Sequence, residues 1–189
     1  MRRVGRPTIG SLESEVRDLI NDTVHGYERY ALPVWLRICA AMDCIGDTSL
    51  ILDRPELRRL TGGYAAQYLR LYGLLQAVHA QQDAIEYLWE TVVERWRRPD
   101  RASAWQELRI WRNILVAHSA KSAGAIARIS MRGQTPLVSR LDAESQRPVM
   151  VRLPLRALLA SYVGEARLSL AGLAEVIRSR TWEIARDEA

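Results

Sequence analysis

A chain of 189 residues with 48% apolar side chains can bury a sizeable core, and no low-complexity break divides it, so one domain over 11–189 behind a flexible arm at 1–10 is expected. Its longest apolar runs, such as Ala157 to Ala160 and Ile114 to Ala117, fall far short of the roughly 18–20 residues that cross a bilayer. Gly5-Arg6-Pro7-Thr8 supplies no apolar region for a signal peptide, so the expectation is a soluble, cytoplasmic protein without a membrane role.

The net charge of +5 rests on 26 arginines and one lysine, Lys121. Arg95 to Arg112 contains six arginines against Asp100 and Glu107, and Ala125 to Arg156 another six against Asp142 and Glu144, a net +4 in each segment. Such a concentration either attracts phosphates or solvates the surface of a bundle. Cys39 and Cys44 are five apart in one expected helix and point to different faces. With three scattered histidines they make no zinc site, so reduced buried thiols and neither metal nor cofactor are expected.

In chain order, Ser11 has the character of an N-cap, and Val16, Leu19, Ile20, Val24 and Tyr27 follow with helical spacing as far as Pro33. A lone His25 beside that stripe reads as a core residue. Val34, Trp35, Ile38, Cys39, Met42 and Ile45 continue past Gly46 to Leu52 as a second helix. Pro55 and Thr61-Gly62-Gly63 mark a connection. The longest helix is expected from Tyr64 to Arg97, where Tyr68, Leu71, Tyr72, Leu75, Val78, Ile85, Leu88, Val92 and Trp96 recur at three- and four-residue intervals. Within it, Gln82 and Asp83 belong to a polar cluster that faces either a cleft or solvent; the cleft is preferred, which makes both candidate substrate ligands.

Ser103 and Gln106 have capping-box spacing, opening a fourth helix that carries Trp105, Leu108, Trp111, Ile114 and Leu115 and ends between Ser119 and Ala123. The period then changes. Alternation over 125–132, a turn at 133–136, alternation over 137–141 and a third run over 149–153 predict a small antiparallel β-hairpin or three-stranded flap, inserted at about 124–153. Pro154 suits the first turn of a last helix whose stripe runs from Leu155 through Leu159, Tyr162, Ala166, Leu170 and Leu173 to Ile177, ending near Arg186. The fold class is mainly α: a bundle of about five helices with a small antiparallel β-hairpin insertion before the last helix.

One stretch combines chemically capable groups. Arg112 and Asn113 precede His118 on an otherwise apolar helix, with Arg109 one turn earlier. At about 100° and 1.5 Å per residue, positions six apart on an α-helix differ by about 120° and about 9 Å, so Arg112 and His118 do not stack within one chain. Two antiparallel copies across a two-fold axis would bring each arginine towards the other chain's histidine. A histidine titrating near 6.5 takes a proton from a ribose 2′-hydroxyl or returns one to the leaving 5′-oxygen. A guanidinium stabilises charge on phosphoryl oxygens. In a competing reading, Arg112 pairs with Asp83 or Glu107 while Asn113 and His118 satisfy one another.

Arg112-Asn113 followed by His118, in the context Leu115-Val116-Ala117-His118, resembles the R-x(4–6)-H signature of the HEPN superfamily, the higher-eukaryote and prokaryote nucleotide-binding helical domains. Leu71 to Ala77 with Gln81-Gln82-Asp83-Ala84 is similar to the long helix of a group of bacterial HEPN-like proteins, whose motif helix commonly ends in glycine-histidine-proline before a β-hairpin. Here Ala117 and Ser119 flank the histidine instead. The resemblance covers about residues 15 to 178.

The resemblance implies a metal-independent endoribonuclease working as a homodimer, in a toxin–antitoxin or phage-defence setting, with RNA as substrate and an antitoxin or defence-system protein as partner. Arg112, Asn113 and His118 would be the catalytic residues, and Arg109 a contact to the RNA backbone. The alternative is a non-catalytic HEPN-like dimer that binds a nucleotide, RNA or a protein.

Overall fold

The computed structural model describes residues 6–23, 29–94, 99–117, 128–141 and 147–187. Its elements are helices α1 (Ile9–Thr23), α2 (Leu32–Leu52), α3 (Tyr64–Leu88) and α4 (Ala104–Arg112), strands β1 (Arg128–Arg132), β2 (Thr135–Leu141) and β3 (Pro148–Arg152), and helix α5 (Leu155–Asp187). This is the mainly helical architecture with a small antiparallel sheet before the last helix that the periodicity predicts. The packing divides the chain into two compact units. The first comprises Met1–Arg54, Ala80–Arg98 and Val163–Ala189, and the second Pro55–His79 and Pro99–Tyr162. The division falls inside α3 and α5, each of which contributes one stretch to either unit. Among the described residues, no helix is long and apolar enough to cross a membrane.

In the first unit, α1 begins two residues before the expected cap. Thr8 and Ser11 cap reciprocally: the Ser11 N–H donates to Thr8 Oγ1 at 3.0 Å and the Thr8 N–H to Ser11 Oγ at 2.9 Å. Ile9 and Gly10, assigned to the arm by sequence, form the first helical turn, with Ile9 fully buried. Their N–H groups donate to the two carboxylate oxygens of Asp53, each at 3.0 Å, and Asp53 Oδ1 also receives Arg167 Nη2 at 3.0 Å. One carboxylate thus satisfies two free donors at a positive helix end and binds a guanidinium.

The remaining core of this unit is aliphatic: Val16 and Ile20 from α1, Ile38, Met42 and Ile45 from α2, Ile85 and Leu88 from α3, and Leu170, Leu173 and Ile177 from α5 are buried. Contrary to the expected run to Arg97, the α-helical hydrogen bonding of α3 ends at Leu88. A π turn follows over Trp89–Val93, and Glu94 takes a left-handed conformation (φ 59°, ψ 19°) that ends it. Trp96, Val24, Tyr27 and His25 lie outside the described residues. Cys39 and Cys44 are free thiols, half-buried rather than buried.

In the second unit, β2 is the central strand and pairs antiparallel with β1 and β3. The β1–β2 turn is tighter than expected. Arg132 pairs with Thr135, which leaves only Gly133 and Gln134 in the loop. Gly133 has φ 62°, the positive value that a two-residue hairpin needs at its first central position. Pro136 is therefore in the strand, opposite Met131. That is the non-hydrogen-bonded type of pair, where the missing N–H costs nothing towards β1. Its carbonyl accepts from the Leu153 N–H at 3.0 Å. Val138 and Leu153 are buried, as are Trp105 and Tyr162, whose rings pack with centroids 5.6 Å apart. The expected strand residues 125–127 lie outside the described residues.

Candidate functional site

Helix α4 opens at the predicted cap, although the Gln106 side chain does not reach back to the Ser103 N–H as a capping box would require. Ser103 is the N-cap, and its Oγ accepts from the Gln106 N–H at 3.3 Å. The Ser103 N–H is bonded to the Asp100 carbonyl at 2.9 Å. Trp105, Leu108, Trp111 and Leu115 are buried, which leaves Ile110, Asn113 and Val116 exposed and Arg109 and Arg112 half-buried. Burial of one face thus sets which side chains of the motif reach solvent.

After Arg112 the hydrogen bonding changes to a π turn over Asn113–Ala117. Single π turns widen the helix by one residue and recur at functional sites. The α-helical geometry expected between Arg112 and His118 does not hold across this turn, because each π step rotates and rises less than an α step. His118 itself lies outside the described residues.

The Arg112 guanidinium is held by neutral partners. Nε and Nη2 donate to Gln76 Oε1 on α3 at 3.4 and 3.3 Å, and Nη1 donates to Asn113 Oδ1 at 3.2 Å. Among the described residues no carboxylate pairs with it. Glu107, the nearby acid in sequence, instead accepts from the Trp111 indole at 3.3 Å. Arg112 is thereby oriented while no carboxylate among the described residues compensates its charge, an arrangement suited to an incoming anion. The Asn113 oxygen is occupied by Arg112, which leaves its amide hydrogens to point at a ligand. Arg109 already holds a partner of its own.

Charge is unequally divided. The second unit has thirteen lysines and arginines against five acids, a net +8, whereas the first has fourteen against seventeen, a net −3. Of the two basic segments in the sequence, 125–156 lies wholly in the unit that carries Arg112, whereas Arg95, Arg97 and Arg98 of the other fall in the first unit.

The two other predicted site residues belong to the first unit and do not share an environment. Gln82 is completely enclosed rather than lining an open cleft, and Asp83 is exposed. Successive helical positions are about 100° apart, so one turns inward and the other outward. Asp83 lies near enough to Cys44 to act on its thiol, whose pKa is pushed up first by burial and then by the charges of Asp47 and Asp83. The neighbouring buried Gln81 donates to Thr48 Oγ1 at 2.8 Å, a structural bond to α2. Among the described residues, no three His, Cys, Asp or Glu side chains converge as a metal site would require.

Gln76 was not singled out by the sequence. Its signal was the four-residue spacing Tyr64, Tyr68, Tyr72, Gln76, which places it on the same row of α3 as three tyrosines. Comparison with protein-family models, with curated proteins and with solved structures found no match.

Proposed function

We propose that the chain is a metal-independent endoribonuclease of HEPN type, acting as a cytoplasmic homodimer in a toxin–antitoxin or phage-defence setting. The observation that carries this reading is the guanidinium of Arg112, braced by two carboxamides at the start of the π turn over Asn113–Ala117 and paired with no carboxylate among the described residues. The +8 charge of its unit supports RNA as the ligand.

In this mechanism His118 of one chain removes the 2′-hydroxyl proton, and the 2′-oxygen attacks the adjacent phosphorus. The bond from phosphorus to the 5′-oxygen breaks, and the leaving oxygen takes a proton from the second chain's imidazole. Arg112 and the amide hydrogens of Asn113 stabilise charge on the non-bridging oxygens. The products are a 2′,3′-cyclic phosphate and a 5′-hydroxyl. DNA lacks the nucleophile and would not be cleaved. Digestion of total RNA in EDTA tests the proposal: wild-type protein should leave cyclic phosphate ends and His118→Ala none. Equal cleavage by both proteins would remove His118 from the mechanism.

A second reading, a non-catalytic dimer that binds RNA, a nucleotide or a protein partner, is favoured by Ala117 and Ser119 flanking His118 and by the engagement of the Asn113 oxygen with Arg112. Salt-sensitive RNA binding without products would select it.

A further inference from the structure

Three tyrosines one turn apart form a continuous row on the part of α3 that belongs to the second unit. The rings of Tyr64 and Tyr68 have centroids 4.8 Å apart at an interplanar angle of 57°, with their hydroxyls 3.0 Å apart. Those of Tyr68 and Tyr72 are 6.0 Å apart and edge-on, at 63°. The middle ring is fixed, because the Tyr68 hydroxyl donates to the Ile129 carbonyl of β1. The outer two reach solvent, Tyr64 being 61% and Tyr72 36% exposed. Anchoring the sheet accounts for Tyr68 but leaves the exposure of Tyr64 unexplained.

The next position on the row is Gln76, and Gln76 holds Arg112. Rows of every fourth residue run about 26° from the helix axis. At 1.5 Å per residue, the distance from Tyr64 to Gln76 is about 18 Å along that axis. From Leu57 to Gln82 the chain has no acidic residue, while Arg58, Arg59 and Arg70 lie in the same stretch. Exposed aromatic rings in a cationic field, leading to a guanidinium held by neutral carboxamides, are the components with which proteins hold single-stranded nucleic acid: bases stack on the rings and phosphates follow the charge.

We propose that this row is a track for single-stranded RNA, with bases stacked on Tyr64 and Tyr72 and a backbone phosphate at Arg112. The inference rests on the reading of Arg112 as a phosphate ligand and adds the form of the substrate. Tyr64 and Tyr72 lie about 12 Å apart along the helix, so the two bases they hold cannot stack directly on one another at the roughly 3.4 Å rise of a duplex strand. Bases inside a duplex are also closed to side-chain stacking.

The test is fluorescence anisotropy on the full-length protein with a labelled twelve-nucleotide RNA whose 2′-hydroxyls are methylated against cleavage, used single-stranded and annealed to its complement. Wild type should prefer the single strand. Tyr64→Ala/Tyr72→Ala should lose at least about tenfold in affinity, and Tyr64→Trp/Tyr72→Trp should keep it. Tyr64→Leu/Tyr72→Leu replaces the alanine variant if circular dichroism shows that the latter unfolds. Equal affinity of the tyrosine-less variant, equal affinity for the duplex, or failure of wild type to bind the single strand would each overturn the track. An acidic protein segment would then be the occupant to seek. Parallel digestion of unmodified RNA separates the two proposals. Tyrosine-dependent binding without cleavage keeps the track and discards the ribonuclease, whereas cleavage that is indifferent to the tyrosines does the reverse.

Discussion

One oxygen of Gln76 accepts from two nitrogens of Arg112, a residue thirty-six positions later in the sequence, at 3.4 and 3.3 Å. The acceptor is a dipole and not a charge, so it aims the guanidinium without neutralising it. Replacing Gln76 with Glu retains shape and acceptors but adds a negative charge. RNA affinity and cleavage should fall by about tenfold or more, while folding stability stays the same or gains up to ~1 kcal/mol from the new ion pair. Gln76→Ala should lose less, because it removes orientation and leaves the charge. A Gln76→Glu protein that binds RNA as wild type does, across a salt titration, would show that Arg112 contacts no phosphate.

Much of the fold was legible because its signals are local. The capping spacing of Ser103, the stripe that begins at Leu155 and the alternation around Gly133 each act within a few residues. Where expectation and structure differ, a distant group or a small change in hydrogen bonding decides. Thr8 rather than Ser11 caps α1, and Asp53, more than forty residues away, satisfies the first turn. Pro136 reads as a breaker, yet the two-residue turn places it at a pair that needs no N–H towards β1.

The two π turns among the described residues leave almost no trace in the apolar spacing, since each shifts the pattern by a single residue. For the candidate site, the sequence supplied Arg112 and Asn113 and could not supply Gln76, because that contact depends on how two helices meet within the second unit. Gln82 and Asp83 read as facing one cleft, yet Gln82 turns inward and Asp83 outward, because neighbouring residues on a helix face different directions.

Asp53 should be worth more to stability than an ordinary surface acid. Asp53→Ala removes two N-terminal acceptors of α1 and leaves Arg167, itself largely shielded from solvent, without that carboxylate. A cap alone is worth about 1 kcal/mol, and stranding a partly buried partner adds to the loss, so a decrease of about 2–3 kcal/mol is expected. Asp53→Asn keeps one acceptor oxygen and should lose less. Urea titration measures both, and a change below about 0.5 kcal/mol for Asp53→Ala would mean that water replaces the carboxylate at no cost.

Cys44 gives stability a pH dependence of known sign. Burial first, and then Asp47 and Asp83, hold its pKa above the ordinary thiol value, which is about 8.5 in an unfolded chain. Below that value both states are protonated and the full stability is present. As pH rises through it, the unfolded thiol ionises first and draws the equilibrium towards unfolding until the folded thiol also ionises. The urea midpoint of wild type should therefore fall more steeply between pH 8 and about 10 than that of Cys44→Ser. Parallel curves for the two proteins would mean that the folded thiol ionises as readily as the unfolded one.

Glu94 ends the π turn after α3 with φ 59° and ψ 19° and is exposed. A side chain with a Cβ at left-handed angles costs roughly 1–2 kcal/mol, and glycine is the residue that most often occupies this position after a helix. Glu94→Gly relieves that cost but widens the conformational freedom of the unfolded chain, which returns part of the gain. The net expectation is a stabilisation of about 0.5–1 kcal/mol, read as a rise in the urea midpoint with an unchanged slope. Glu94→Ala should not stabilise, because it retains the Cβ. If Ala matched Gly, the benefit would come from removing the carboxylate charge and not from the backbone, and the left-handed turn would carry no strain.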